Sequence, residues 1–359
     1  MPDQSLHNWP AMSIAQANAM LAGEGSPLEI TDAVIGGVDL KVYKNAPPTL
    51  PSVLQLAEQQ FGNRDYIIYE EERVTYSAMA KAVKTLAALL RDKYGIEKGD
   101  RVAIIMRNYP QWPVGFYAAL SLGAIVTPMN SWWTGEELEY GLSFAGVKLA
   151  IVDPQIFERV RGCWEQLPDL NNIIIARDAD EEHGDPRVST LESLVGGAND
   201  WAALADMPWP DVQLAPDDDA TIMYTSGTTG KPKGALASHR AIISNIFNSL
   251  TCQARMYLRK GEPVPEPDPD NPPATLLAIP FFHATGAFAI LVPSALRGGK
   301  IVSMYKWDTG KALPLIETEK VTAVGGVPAI AWQLLEHPDR DKYDLSSIQA
   351  ISYGGAPSA

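Results

Sequence analysis

The eleven residues Tyr224-Thr225-Ser226-Gly227-Thr228-Thr229-Gly230-Lys231-Pro232-Lys233-Gly234 gather glycines, hydroxyls and lysines into one short segment. Glycine lets the backbone turn its N–H groups inward onto an anion. The hydroxyls of Thr225, Ser226, Thr228 and Thr229 add donors, and Lys231 and Lys233 add charge. This is the composition of a phosphate cradle. It is not a Walker loop, because Pro232 stands where a hydroxyl should follow Lys231, and the G-x-G-x-x-G of a dinucleotide fingerprint is absent. Taken alone, the segment would also suit a flexible Gly/Thr turn. Its surroundings favour the cradle: no Asp or Glu occurs from Ala220 to Gly261, where about five would be expected at the chain's average, yet Lys231, Lys233, Arg240, Arg255, Arg259 and Lys260 all fall there. Such a stretch suits a charge-selected anion site, or cations placed at solvated helix ends.

Three further segments combine glycine with apolar residues. Phe281-Phe282-His283-Ala284-Thr285-Gly286 carries a lone histidine, which in an apolar run is otherwise a hydrogen-bonded core residue. Gly325-Gly326-Val327-Pro328 and Tyr353-Gly354-Gly355-Ala356-Pro357 end apolar runs, where a missing side chain lets a ligand lie against the backbone or merely satisfies a turn. Cys163 and Cys252 have no second Cys or His at metal-ligand spacing, so neither a zinc site nor a disulfide framework is expected, and a reducing, cytoplasmic setting fits.

These segments need rigid elements to hold them. After Thr75, Met79, Val83, Leu86 and Leu90 share one helical face. Val102–Met106, a helix from about Gln111 to Leu122 and the run Ala124–Val126 make a βαβ unit, and Leu149–Val152, a helix over Ile156–Gln166 and Ile173–Ala176 repeat it. A second series follows: strand Thr221–Tyr224, helix Ser238–Leu250, strand Thr275–Ile279, helix Ala287–Leu296, strand Lys300–Ser303, helix Thr309–Lys320, then strands Val321–Val324 and Ile348–Tyr353. Apolar runs joined by helices predict an α/β fold of two stacked, doubly wound, mostly parallel sheets with helices on both faces. The expected divisions are an N-terminal extension at 1–47, a first α/β subdomain at 48–219 and a second at 220–359. The acid-, Gly- and Pro-rich stretch Arg177–Asp219 reads as surface loop and linker, and the Pro-rich run Lys260–Pro273 as exposed loop.

With 359 residues the chain has room for two cores, and 46% hydrophobic against 20% charged residues is a globular composition. The 29 Lys and Arg against 43 Asp and Glu leave a net charge of −14, which disfavours nucleic acid or an anionic membrane as partner. Proline interrupts both long charge-free stretches, Asn108–Gly135 and Asn271–Leu296, so no membrane span is expected. The first ten residues hold Asp3 and no Lys or Arg, without the basic start of a secretory signal.

Tyr224–Gly234 resembles the signature loop of the adenylate-forming enzymes, the superfamily of acyl-CoA synthetases, peptide-synthetase adenylation domains and luciferases. Phe281–Gly286, Gly325–Pro328 and Tyr353–Pro357 agree with it in order and spacing, as do Gly99-Asp100-Arg101-Val102 and Gly123-Ala124 with Pro128 and Asn130. The likeness runs from about Pro48 to Ala359. It implies conversion of a carboxylic acid and ATP, with Mg²⁺, to an acyl-adenylate and pyrophosphate, followed by transfer to coenzyme A, or in some relatives to a carrier protein. The loop residues Thr225, Ser226, Gly227, Thr228, Thr229, Gly230, Lys231 and Lys233 would then hold the ATP phosphates, and His283, Gly326, Val327, Gly354, Gly355, Ala356 and Pro357 would line the adenine and acyl sites. Thr228, Lys233 and His283 are the catalytic candidates on this resemblance. The family's Mg²⁺-binding Glu, ribose-binding Asp and C-terminal Lys would lie beyond Ala359, so the chain reads as the truncated N-terminal portion of such a ligase, with no metal ligand assignable. The apolar run around Phe281 and Phe282, with no acid between Asn271 and Tyr305, resembles the ligases of medium- or long-chain fatty acids more than amino-acid activators. A non-catalytic nucleotide-binding module is the alternative of another class. Oligomeric state stays open, a homo-oligomer included.

Overall fold

The computed structural model describes residues 9–178, 183–225, 231–266, 268 and 271–353. Among these, three sheets form. In spatial order the seven-stranded sheet runs Lys233–Ser238, Asp219–Thr225, Ile125–Pro128, Arg101–Ile105, Val147–Val152, Asn172–Ile175 and Val188–Thr190. The six-stranded sheet runs Ala350–Tyr353, Ala323–Gly326, Ala274–Leu277, Lys300–Ser303, Asp65–Tyr69 and Glu72–Thr75. In each, neighbours are parallel except for one hairpin at an edge, Asp219–Thr225 with Lys233–Ser238 and Asp65–Tyr69 with Glu72–Thr75. The central strands are apolar on both faces: Val102 pairs with Val126 on one side and Leu149 on the other, all buried. Helices must therefore cover both faces.

The helix Gln111–Ser121 is buried along its whole length, as an all-round apolar sequence requires. Its Trp112 stacks on Phe281 at 5.2 Å between ring centroids. One hydrophobic cluster joins Ile104 and Val126 of the seven-stranded sheet to Ile67, Leu277 and Ile301 of the six-stranded one. Chain order and sheet order differ. Asp65–Thr75 sits with strands that begin two hundred residues later, and Asp219–Ser238 closes the sheet built from the first half. The small third sheet pairs Ile30–Ile35 with Val38–Tyr43 through Gly36 and Gly37, both at positive φ.

Within Arg177–Asp219, residues 205–218 carry neither helix nor strand, as a loop and linker should, but the part before them is built into the fold. Its Val188–Thr190 is the far edge of the seven-stranded sheet, Leu191–Val195 is helical, and Trp201 is wholly buried, donating from Nε1 to Gly196 O at 3.0 Å. Some acids of the stretch are engaged: Glu192 accepts from the Arg177 backbone N–H at 3.0 Å, Asp217 pairs with Arg240 and Asp218 with Lys98. Asp180, Glu181 and Glu182 lie outside the described residues. Past Lys260, residues 262–266 carry neither helix nor strand, consistent with alternating proline. The expected helix Ala287–Leu296 is instead a π-helical stretch, Thr285–Leu291, feeding the α-helix Val292–Arg297. Pro293 has no N–H to give to an i−4 carbonyl, so the ladder reorganises ahead of it. No helix among the described residues is long and apolar enough to cross a membrane.

His239 opens the helix His239–Lys260 without solvent exposure, and its Nδ1 accepts the Leu50 N–H at 3.2 Å. Burial pushes this imidazole down to about 4, outweighing the pull of Asp218, and Lys98 adds to the depression. An unfolded histidine takes up its proton near 6.5. Between these two values the unfolded chain binds more protons, so stability falls as pH drops from about 6.5 towards 4, by up to roughly 3 kcal/mol. Urea midpoints across this range should show that slope, and His239→Gln should flatten it. An equal slope in both proteins would assign the acid sensitivity to other groups.

Candidate active site

Thr225 and Lys233 face each other as the last pair of the edge hairpin, so their side chains leave the same face of the sheet. Thr225 Oγ1 donates to Lys233 O at 3.4 Å and closes the neck of the connection. Ser226, Gly227, Thr228, Thr229 and Gly230 lie outside the described residues. The flank returning from them rests on the helix Gly135–Ala145, an element the sequence reading had not placed. Tyr140 donates its hydroxyl to Pro232 O at 3.2 Å, and the Lys231 ammonium lies 4.8 Å from the centre of the Tyr140 ring. Tyr224 donates to Gly141 O at 2.6 Å, and burial raises its phenol pKa, so it stays a donor. Trp133 packs edge-on against Tyr224 at 5.3 Å.

The second wall comes from the six-stranded sheet. Asn108 is buried in the turn after Arg101–Ile105 and reaches across to the segment that follows Ala274–Leu277. Its Nδ2 donates to Ile279 O at 3.2 Å, its Oδ1 accepts the Phe281 N–H at 2.8 Å, and its own carbonyl accepts from Ser303 Oγ at 2.5 Å. Phe281 is thereby held in the core, Phe282 packs edge-on against Trp132 at 5.2 Å, and His283 is left exposed. The His283 Nδ1 accepts the Thr285 N–H at 3.2 Å, which assigns the ring proton to Nε2. Only the bonding pattern of the finished fold distinguishes Asn108 from the ordinary turn residue its sequence context suggests.

The two walls enclose a cavity of about 640 Å³, lined on one side by Tyr224, Thr225 and Pro232 and on the other by Phe282, His283 and Ala284. Gly325 and Gly326 line a different cavity, of about 450 Å³, which also touches Ile279 and Thr285 on either side of the His283 turn. A Cβ on Gly325 would meet Ile290 at an ordinary 3.7 Å, whereas one on Gly326 would stand 2.3 Å from Ile330 Cδ1. The space freed at Gly326 is thus filled by the protein itself. Val327 is about half exposed. Ala350–Tyr353 ends beside Gly326, and Gly354, Gly355, Ala356 and Pro357 lie outside the described residues.

The acid-free stretch does not converge on the loop. Arg240 pairs with Asp217 at 2.7 Å, Arg259 lies 5.0 Å from the Trp9 ring centre, and Arg255, Arg259 and Lys260 occupy the last turns of a 22-residue helix. At about 1.5 Å per residue those turns are some 30 Å from its start. Glu137 is the one carboxylate among the residues lining the larger cavity, and it accepts the Thr134 N–H at 2.8 Å as a helix cap. Among the described residues no three His, Cys, Asp or Glu side chains are grouped to hold a metal, so these residues do not by themselves fit Mg²⁺.

Residues 54–359 match the family described as AMP-binding enzyme. The chain is 30% identical over 328 residues to a long-chain-fatty-acid–CoA ligase of Bacillus subtilis strain 168, covering 86% of this chain and 55% of that one. It is also 30% identical over 290 residues to a feruloyl-CoA synthase of Amycolatopsis, covering 79% and 50%. Among solved structures, the N-terminal domain of FACL13 from Mycobacterium tuberculosis is similar with a TM-score of 0.67 at 27% identity, over 87% of this chain and 71% of that one. The chain spans about half the length of the curated relatives it matches. With the motif order, the two-sheet fold and a match over most of its length all agreeing, the chain belongs to the AMP-binding enzyme family.

Proposed function

We propose that the protein to which this chain belongs joins a medium- or long-chain carboxylic acid to ATP, releasing pyrophosphate, and passes the acyl group from the adenylate to coenzyme A. The observation that carries this reading is the shared cavity between the neck of the Gly/Thr/Lys loop and His283. A carboxylate attacking a triphosphate meets like charge, so the reaction needs fixed donors and cations where negative charge builds. Lys233 at the neck and the hydroxyls of the connection are the candidates on one wall. His283, with its proton on Nε2, is the candidate on the other. Mg²⁺, when bound, would offset phosphate charge. The described residues offer it no ligand set. The apolar side chains of the neighbouring cavity, Ile246, Leu250, Phe288 and Ile290, support an extended acyl group. The unpaired Cys163 and Cys252 support a reducing, cytoplasmic setting.

Acid-dependent exchange of labelled pyrophosphate into ATP by the whole protein, across a panel of acids, tests adenylation. Formation of acyl-CoA on adding coenzyme A then tests the acceptor. Exchange without acyl-CoA would point to a carrier protein as acceptor, and no exchange with any acid would leave a nucleotide-binding module.

A further inference from the structure

The cavity beside Gly325 continues into a second one of about 580 Å³, and Gln253, Arg297 and Gly325 line both. Together they form a groove between the helix His239–Lys260 and the π-helical stretch Thr285–Leu291 with its continuation to Arg297. One end lies at Thr285, next to His283. Arg297 stands where the two cavities meet, and Lys260 lines only the second. Among the described residues no Asp or Glu lines either cavity, in a chain that carries fourteen more acids than bases. The Arg297 guanidinium donates to the Gln253 amide oxygen at 2.9 Å, and among the described residues it makes no ion pair. Burial with no neighbouring carboxylate pulls its pKa below the usual arginine value. The end of the acid-free stretch thus forms a wall here, far from the loop.

A half-buried guanidinium whose partner is a neutral amide is a poor lining for a slot meant for hydrocarbon alone. Removing a cation from water without an anion is costly, and an incoming carboxylate offsets that cost. We propose that Arg297, with Gln253 bonded to it and Lys260 lining the same cavity, receives a second, distal carboxylate, so that the preferred substrates are α,ω-dicarboxylic acids activated at the end nearer His283. This rests on the proposed function and names its substrate class. Twelve residues of helix separate Thr285 from Arg297, at most about 18 Å at α-helical rise, so the longer diacids are the ones that reach. Apolar side chains along the groove take the methylenes, while the guanidinium fixes the far end.

The test compares adipic, suberic and dodecanedioic acids with hexanoic, octanoic and dodecanoic acids in the whole protein, by acid-dependent pyrophosphate release and by calorimetric titration of the same acids without ATP. The expected wild-type result is a kcat/KM for dodecanedioic acid at least tenfold above that for dodecanoic acid. Arg297→Met should raise KM for the diacid roughly 10- to 100-fold with kcat little changed, the scale of a hydrogen bond to a charged group. Its kcat/KM on dodecanoic acid should hold or rise. Arg297→Lys should keep part of the preference, which guards against a folding defect in the methionine variant. Equal use of both acid types at every length by the wild type, or equal losses on both in Arg297→Met, would overturn the distal site while leaving adenylation intact. Absence of turnover with every acid would instead remove the proposed function, and the titration would then decide the distal site on binding alone: tighter binding of dodecanedioic acid supports it, and no difference overturns it.

Discussion

Lys233→Ala in the whole protein should slow acid-dependent pyrophosphate exchange by about a hundredfold, the usual scale for losing one fixed group that meets developing charge. Lys233 is exposed and lies directly opposite Thr225 at the neck of the loop, so its removal leaves the ladder intact. The loss should therefore appear in kcat, with an unchanged urea midpoint. Lys231→Ala should cost far less, because that ammonium is already engaged over the Tyr140 ring at 4.8 Å. The order of the two variants is the sharp part: a larger loss at Lys231 would mean that the flank swings away from Tyr140 to reach the phosphates, and near-normal exchange in Lys233→Ala would remove its catalytic role. Thr228→Ala, by the same reasoning from composition alone, should match Lys233→Ala.

Gly286→Ala should disable the other wall. A Cβ at this position would stand 2.1 Å from Pro280 O and 2.8 Å from Pro280 C. Backbone cannot yield as a flexible side chain can, so either the π-helical stretch or the turn from Pro280 to His283 must shift. Asn108 ties the residues on both sides of Pro280, at Ile279 and Phe281, so the shift has little slack to use. Overpacking of this kind costs about 1–3 kcal/mol or more, and displacement of a reacting group by even an ångström can cost about a hundredfold in rate. The expected variant folds with a lowered urea midpoint and loses most pyrophosphate exchange. Full activity at wild-type stability would show that the turn is not held as described, and would weaken His283 as a site residue with it.

The buried strands were legible in the sequence because a strand covered on both faces is a nearly continuous apolar run, as in Val102–Met106 or Leu149–Val152. The hairpins Ile30–Tyr43, Asp65–Thr75 and Asp219–Ser238 were less so. Their register depends on local turns, and Lys233–Ser238 is largely exposed, without the apolar signal of its neighbours. Long-range polar contacts leave still less trace. Asn108 reaches residues more than 170 positions away, and nothing around it in sequence marks that role. The order of sheets was hidden for the same reason, since the Asp65–Thr75 hairpin is chosen by its pairing with Lys300–Ser303 rather than by its own composition. Charge was legible as an amount and not as a place. The acid-free stretch was visible, but a long helix carries its two ends to different parts of the molecule.

The exchange of strands between the two halves of the chain has a further consequence, for breakage. The exposed run 262–266 is the natural place for a protease to nick the molecule. Were it cut there, the earlier piece would still own the Asp65–Thr75 edge of the six-stranded sheet, laced by parallel ladder bonds to Lys300–Ser303 of the later piece. Asn108 on one piece would still clasp Ile279 and Phe281 on the other. The two fragments would migrate together until denatured, and the seam containing His283 would be sewn shut from both sides.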